Sequence, residues 1–230
     1  MRKRAFLTAI LAAALLSGCA EDVVVPYGPA PTPSGPLALA LPAPDSGRLR
    51  AREWPRACDL LTEADIRAIL PSTTRVSSTS EDGKFISTGG EAPYNFVVPG
   101  ARCAYEVFFP GTYDPSRSAS VSIEVLFAGS PELARQNWDK FVAGPNNLQC
   151  TVDFPGLGAD ACLRETVTKY FTVRKKGVIV EIGSRDPSLA GGSRLAGQSE
   201  EDATNGWAAT RVWNAEVTPL FVRPVLARLP

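Results

Sequence analysis

The hydrophobic pattern begins with an apolar run at residues 5–16, preceded by Arg2, Lys3 and Arg4 and followed by Ser17, Gly18 and Cys19. A basic start, a run of about 12 apolar residues and small residues before a cut site predict a secretory signal over residues 1–18. A bilayer-spanning helix needs about 20 apolar residues, so the run is too short to stay as one. Residues 20–55 then lose all periodicity, with Pro26, Pro29, Pro31, Pro33, Pro36, Pro42, Pro44 and Pro55 spread through them. Residues 19–55 are therefore expected to form a tether, which at about 3.1 Å per residue reaches up to roughly 100 Å. The run Leu37-Ala38-Leu39-Ala40-Leu41 inside it is apolar enough to pack locally, with no further role evident.

Regular patterning starts near residue 62 and defines an extracytoplasmic domain over residues 56–230. Thr62-Glu63-Ala64-Asp65 has the form of a capping box, and Ile66, Ile69 and Leu70 follow on one helical face until Pro71 stops it. Residues 72–101, rich in Ser, Thr and Gly, are expected to be a long loop. Cys103, Tyr105, Val107 and Phe109 alternate, as do Val121, Ile123, Val125 and Phe127, which predicts two half-buried strands. Ser130-Pro131 starts a helix that carries Leu133, Trp138, Phe141 and Val142 on one face and ends at Gly144. A short strand up to Phe154, a turn at Pro155-Gly156-Leu157-Gly158 and a strand near Cys162 come next. They lead into a hairpin of Tyr170–Arg174 and Val178–Gly183 with Lys175-Lys176-Gly177 at its turn. Ser199 and Asp202 are candidate caps for a last helix bearing Trp207, Val212 and Trp213, kinked or restarted by Pro219 and Pro224. This order predicts an α+β fold, an antiparallel sheet with helices packed on one face, with a hint of two weak α/β repeats.

Charge and composition narrow the function. Removing residues 1–18 leaves 21 Lys and Arg against 24 Asp and Glu, a net of about −3. Such a surface does not hold a polyanion by counter-ion release, so nucleic acid is not an expected partner. Histidine is absent, which removes the commonest general base and the commonest metal ligand.

Leu16-Ser17-Gly18-Cys19 resembles the bacterial lipobox at all four positions. The resemblance implies diacylglycerol on the Cys19 sulfur, cleavage before it and further acylation, with palmitate or a similar acyl group, of the new amine. Two or three acyl chains at about 0.8 kcal/mol per buried CH₂ make a stable anchor. The chain is thus expected on the cell membrane, facing outside the cytoplasm, with the membrane itself as its first partner.

Four cysteines then remain, Cys58, Cys103, Cys150 and Cys162, an even set that in an exported protein predicts two disulfides. No Cys-x-x-Cys pair and no histidine favours zinc. Three pairings are open; Cys58–Cys103 with Cys150–Cys162 is preferred because each bridge staples one supersecondary unit.

Cys58-Asp59-Leu60-Leu61-Thr62-Glu63-Ala64-Asp65-Ile66 resembles the opening of a family of actinobacterial secreted lipoproteins whose role is unresolved. Cys103-Ala104-Tyr105, Pro155-Gly156-Leu157-Gly158-Ala159-Asp160-Ala161 and the basic hairpin tip resemble its later features. The likeness spans roughly residues 56–229 and implies location and fold, with no catalytic residue. The Cys150–Cys162 pair and the long segment before Cys103 depart from it.

No catalytic constellation stands out. Gly156-Leu157-Gly158-Ala159-Asp160-Ala161 fits a dinucleotide pattern, but a strand, not the required helix, is expected after it. No cofactor and no metal are expected. Gly-x-Ser-x-Gly and Ser-x-x-Lys motifs are lacking. Glu106 and Glu124, on neighbouring predicted strands, are the candidate carboxylate pair for hydrolysis of wall polymer, although acids on a sheet's outer face are usually just solvated. Tyr94 and Phe96 in the loop, and Arg174, Lys175 and Lys176 at the hairpin tip, are the candidate contact surface. The expected function is a non-enzymatic binding or accessory module, its ligand a protein, wall component or small molecule. The alternatives are a carboxylate hydrolase and a carrier of an apolar ligand.

Overall fold

The computed structural model describes residues 24–32, 37–43, 47–87, 94–110, 118–144, 159–164, 170–187, 194–196, 210 and 212–230. Its centre is a six-stranded sheet, antiparallel throughout. In chain order the elements are β1 (Val24–Val25), a 3₁₀ turn (Ala51–Glu53), α1 (Ala57–Leu60), α2 (Glu63–Ile69), β2 (Arg75–Ser87), β3 (Tyr94–Phe108) and β4 (Ala119–Ala128). Then follow α3 (Pro131–Val142), β5 (Asp160–Arg164), β6 (Tyr170–Lys175), β7 (Val178–Arg185), β8 (Arg194–Leu195), a π turn (Trp213–Val217) and α4 (Thr218–Arg228). The strand order is β2-β3-β4-β7-β6-β5, with β1 and β8 forming a separate parallel pair. The α+β reading is correct.

Alternation places Cys103, Tyr105 and Val107 beside Ile123, Val121 and Ala119, and these beside Ile182 and Ser184 on β7. All are buried, against α1, α2 and α4. Helix α3 lies on the opposite face, where Ala134 and Trp138 meet Phe127, Cys162 and Ile179. The expectation of helices on one face therefore holds for α1, α2 and α4 and not for α3. A bulge between Val125 and Phe127 turns the end of β4 so that Leu126 and Phe127 line the α3 side. Within α3, Ala134 takes the buried place expected of Val142, which is exposed at the last turn.

Two further expectations are corrected. Residues 75–87 and 94–101 are strand, not loop: they pair into a long edge hairpin, from Arg75 opposite Phe108 to Ser87 opposite Tyr94. Ser77, Ser78, Thr79, Ser80 and Glu81 are exposed, so no buried face imposed the alternation that marks a strand. The described parts of the proline-rich stretch lie along the domain and do not stand free of it. Val25 is completely buried, and Tyr27, Leu37, Leu39, Leu41 and Leu49 pack against the core. Proline cannot feed a central ladder. Residues near the prolines nonetheless bond to the domain: Gly28 N–H to Ile69 O at 2.7 Å and Leu37 N–H to Arg228 O at 2.7 Å.

The Thr62–Asp65 capping box forms as read, with Asp65 N–H on Thr62 Oγ1 at 3.2 Å and Thr62 N–H on Asp65 Oδ2 at 2.8 Å. Cys58–Cys103 is a disulfide tying α1 to β3. Cys162 is also disulfide-bonded, to a partner outside the described residues, where Cys150 and Cys19 lie. The Pro155-Gly156-Leu157-Gly158 turn, Ser199, Asp202 and Trp207 lie there too. In the C-terminal unit the π turn runs straight into α4, with Pro219 as its second residue and Pro224 inside it.

Candidate functional site

An aromatic cavity of about 210 Å³ lies at the end of the sheet where β4 stops and β7 begins. Its walls are Trp54, Phe85, Phe96, Leu126, Phe127, Phe141 and Ile179, with Arg48 and Asn137 as the polar groups. Four separate pieces of chain supply them, and each arrives for a local reason.

The β2–β3 hairpin is bent by a register shift between Glu81 and Gly83. Opposite this bulge Gly100 has φ +66°, a conformation that suits glycine, and its N–H is held by Asp82 Oδ1 at 3.1 Å. Beyond the bend, Phe85 and Phe96 are cross-strand partners with ring centroids 5.5 Å apart. Both meet the Trp54 indole, at 5.3 and 6.1 Å, and Trp54 in turn meets Phe127 at 6.3 Å. These separations suit offset and edge-to-face packing. The indole is held in place by its Nε1–H, which donates to Leu49 O at 3.2 Å.

Arg48 is brought in by an isolated bridge to Gly129. Ser130 N–H to Gly47 O at 2.8 Å and Gly129 N–H to Gly177 O at 2.9 Å complete this crossing. A Cβ on Gly177 would lie 2.1 Å from Gly129 O, so only glycine permits the approach. Helix α3 closes the far side: Phe141 rests on Trp138 at 5.9 Å, and Asn137 Nδ2 donates to Leu133 O at 2.9 Å. A space this size exceeds the roughly 150 Å³ that accommodates a benzene ring in an apolar interior.

A second hollow, about 120 Å³ and polar, lies on the sheet between Glu81, Arg102, Glu124, Tyr170 and Glu181. Arg102 Nε sits 3.4 Å from Glu124 Oε2, and Thr172 Oγ1 donates to Glu181 Oε2 at 3.4 Å. The anticipated Glu106–Glu124 pair is not brought together. Glu106 stands opposite Ser120 and Glu124 opposite Arg102, four positions along the ladder, or about 13 Å. An inverting glycosidase separates its carboxyls by only about 6.5–9.5 Å. The register neighbour of Glu124 is instead Glu181 on β7, which sequence reasoning missed.

Of the expected contact residues, Phe96 lines the cavity, and Tyr94 pairs with Ser87 at the far end of the hairpin. The basic tip is largely committed elsewhere. Arg174 forms an ion pair with Asp160. Lys175 Nζ donates to Leu226 O at 2.8 Å and Leu229 O at 2.9 Å, capping α4. Burial, and then the neighbouring Lys176, hold the Lys175 ammonium below the usual lysine range. Lys176, with φ +48°, is exposed at the turn. Trp138 and Trp213 are core residues, as their helical spacing suggested. Phe127 and Phe141 were read as buried positions of a strand and a helix, and Trp54, Phe85, Arg48 and Asn137 carried no local signal; that they meet is the work of the bend, the bulge and the crossing.

Among the described residues no group of three or more Cys, Asp or Glu converges as a metal site, and no helix is long and apolar enough to cross a membrane. The segment after Gly158 enters β5, a strand and not a helix. No protein-family model matches this chain, and no curated protein or solved structure matches it either.

Proposed function

We propose that the chain is a lipid-anchored, extracytoplasmic binding module that takes a small apolar ligand into the aromatic cavity. The observation that carries this reading is the cavity itself, walled by five aromatic rings and two aliphatic side chains, with a guanidinium and a carboxamide among its lining. A concave, mostly apolar space with a few polar groups is the usual form of a small-molecule site. The lipobox tetrad and the disulfide-bonded cysteines support a place outside the cytoplasm on the membrane. The likeness of the 58–66 segment to actinobacterial secreted lipoproteins supports the same place. The reading is of binding without chemistry: the described lining residues offer aromatic and aliphatic surface with one guanidinium and one carboxamide.

The cavity suits one or two fused rings or a short acyl chain. At between about 0.3 and 1.5 kcal/mol per heavy atom, a bicyclic aromatic is expected to bind in the micromolar range, near −8 kcal/mol. Calorimetric titration of the unacylated protein with 2-naphthol, in detergent-free buffer, tests this. Leu126→Trp fills the space and is expected to weaken binding at least about 10-fold, a cost of about 1.4 kcal/mol. Val97→Ala, at a half-exposed position off the cavity wall, is expected to leave it unchanged. Absence of saturable heat, or equal affinity in Leu126→Trp, contradicts the reading.

A further inference from the structure

The β1–β8 pair and the aromatic cavity lie toward opposite ends of the sheet. Only residues 20–23 separate Cys19 from Val24, and a chain spans at most about 3.6 Å per residue, so by covalent reach alone the Cα of Cys19 falls within about 18 Å of that of Val24. The first turn of chain after that is firmly held. Val24 and Val25 pair with Arg194 and Leu195, Val25 is completely buried, and Gly28 N–H bonds Ile69 O. The Tyr27 phenol donates to the Glu216 carboxylate in the π turn, and this bond first, then burial, pushes its pKa up to about 12.

The position of this clasp along the sheet follows from β7. Its last residues reach Ser184, whose Oγ accepts from Trp213 Nε1 at 2.9 Å, beside the π turn that holds Tyr27. Its first residues follow Gly177 and include Ile179, on the cavity wall. Eight residues of strand put about 25 Å between the two ends. The chain itself runs the same course, from Gly28 at α2, past Leu37 at the end of α4, to Arg48 at the cavity.

We infer that the domain stands directly on the bilayer, with the β1–β8 clasp toward the lipid headgroups and the aromatic cavity at the far end. The inference rests on the proposed lipidation of Cys19. It means that the ligand is an apolar molecule presented from the extracytoplasmic side, by the wall, the medium or another protein, and not a lipid drawn from the supporting membrane. It also replaces a roughly 100 Å tether with a short, fixed mount.

The test uses the full acylated chain in phospholipid nanodiscs containing lipids with a gadolinium chelate on the headgroup. Amide signals of Gly28 and Leu195 are expected to be broadened, and those of Gly129 and Gly177 to stay sharp. A long Gly/Ser insertion between Ala20 and Glu21 is expected to abolish the broadening while leaving the fold intact. Sharp signals throughout would mean a free tether, and broadening at Gly177 would mean the reverse orientation; each overturns the inference. A chain that carries no acyl mass and does not co-elute with nanodiscs overturns the anchor itself, a failure distinct from the other two.

Discussion

Replacing Asp65 by alanine is expected to remove about 3–5 kcal/mol of stability. Asp65 is buried on α2 and does two things at once. One oxygen accepts from Thr62 N–H and Oγ1–H at the helix start, and the same carboxylate grips the Arg228 guanidinium, with Nη1 at 2.7 Å from Oδ2 and Nη2 at 3.1 Å from Oδ1. Arg228 also donates to Leu60 O at 3.2 Å. This network joins the last turn of α4 to the α1–α2 layer, 163 residues earlier in the chain. Alanine leaves the guanidinium, only 14% exposed, without its counter-charge, and it also strips the cap, a loss of about 1 kcal/mol by itself. Asp65→Asn keeps a cap acceptor and is expected to recover about that much. The double change Asp65→Asn with Arg228→Met removes both charges and is expected to sit much closer to wild type, because a buried ion pair replaced as a whole costs little. Urea unfolding with the disulfides intact checks all three. A loss below about 1 kcal/mol for Asp65→Ala would show that the pair is as solvated as a surface bridge.

The second large effect is expected from Cys58→Ala with Cys103→Ala. The bridge closes a loop with a sequence separation of 45, for which chain entropy gives about 4 kcal/mol. The neighbouring Tyr105 limits the damage. Its hydroxyl donates to Leu61 O and, at 3.3 Å, to Cys58 O, so α1 stays attached to β3 by a second route. Burial, and then Asp65, Asp59 and Glu63 nearby, hold that phenol well above its usual pKa, so it keeps its proton and its bond at any ordinary pH. Adding Tyr105→Phe to the cysteine double variant is therefore expected to cost more than it does in the oxidised protein. The check is the shift of the unfolding midpoint in each background. A cysteine double variant within about 1 kcal/mol of wild type would mean that the loop gains nothing from closure.

The C-terminal half of β3 and most of β4 showed clean alternation because one face lies in the core, where Tyr105 and Ile123 are buried, whereas β6 and β7 were legible from their turn and their apolar runs. Along β2 the run Ser77–Glu81 is exposed, so these positions looked like loop although each has a register partner on β3. Helix α2 was legible from its cap, and α3 from Ser130 and Pro131. The path of residues 24–49 was not: Leu37, Leu39 and Leu41 alternate correctly, but they pack against a core built by later segments, with Leu37 bonded to Arg228 at the end of α4. The cavity was legible in one residue, Phe96. Its cross-strand partner Phe85 required the register, and Trp54 required a proline-rich segment to be part of the domain. Glu106 and Glu124 show the converse. Their shared face was read correctly, but distance along a ladder depends on register, which single-strand periodicity does not encode.

The most direct measurement is native mass spectrometry of the protein extracted from the membranes of its own host. The expected spectrum shows a chain beginning at an acylated Cys19 that also carries a non-covalent apolar adduct, one that is lost from Leu126→Trp. An adduct-free chain from wild-type membranes, or an adduct that persists when the cavity is filled, would contradict a ligand-binding role.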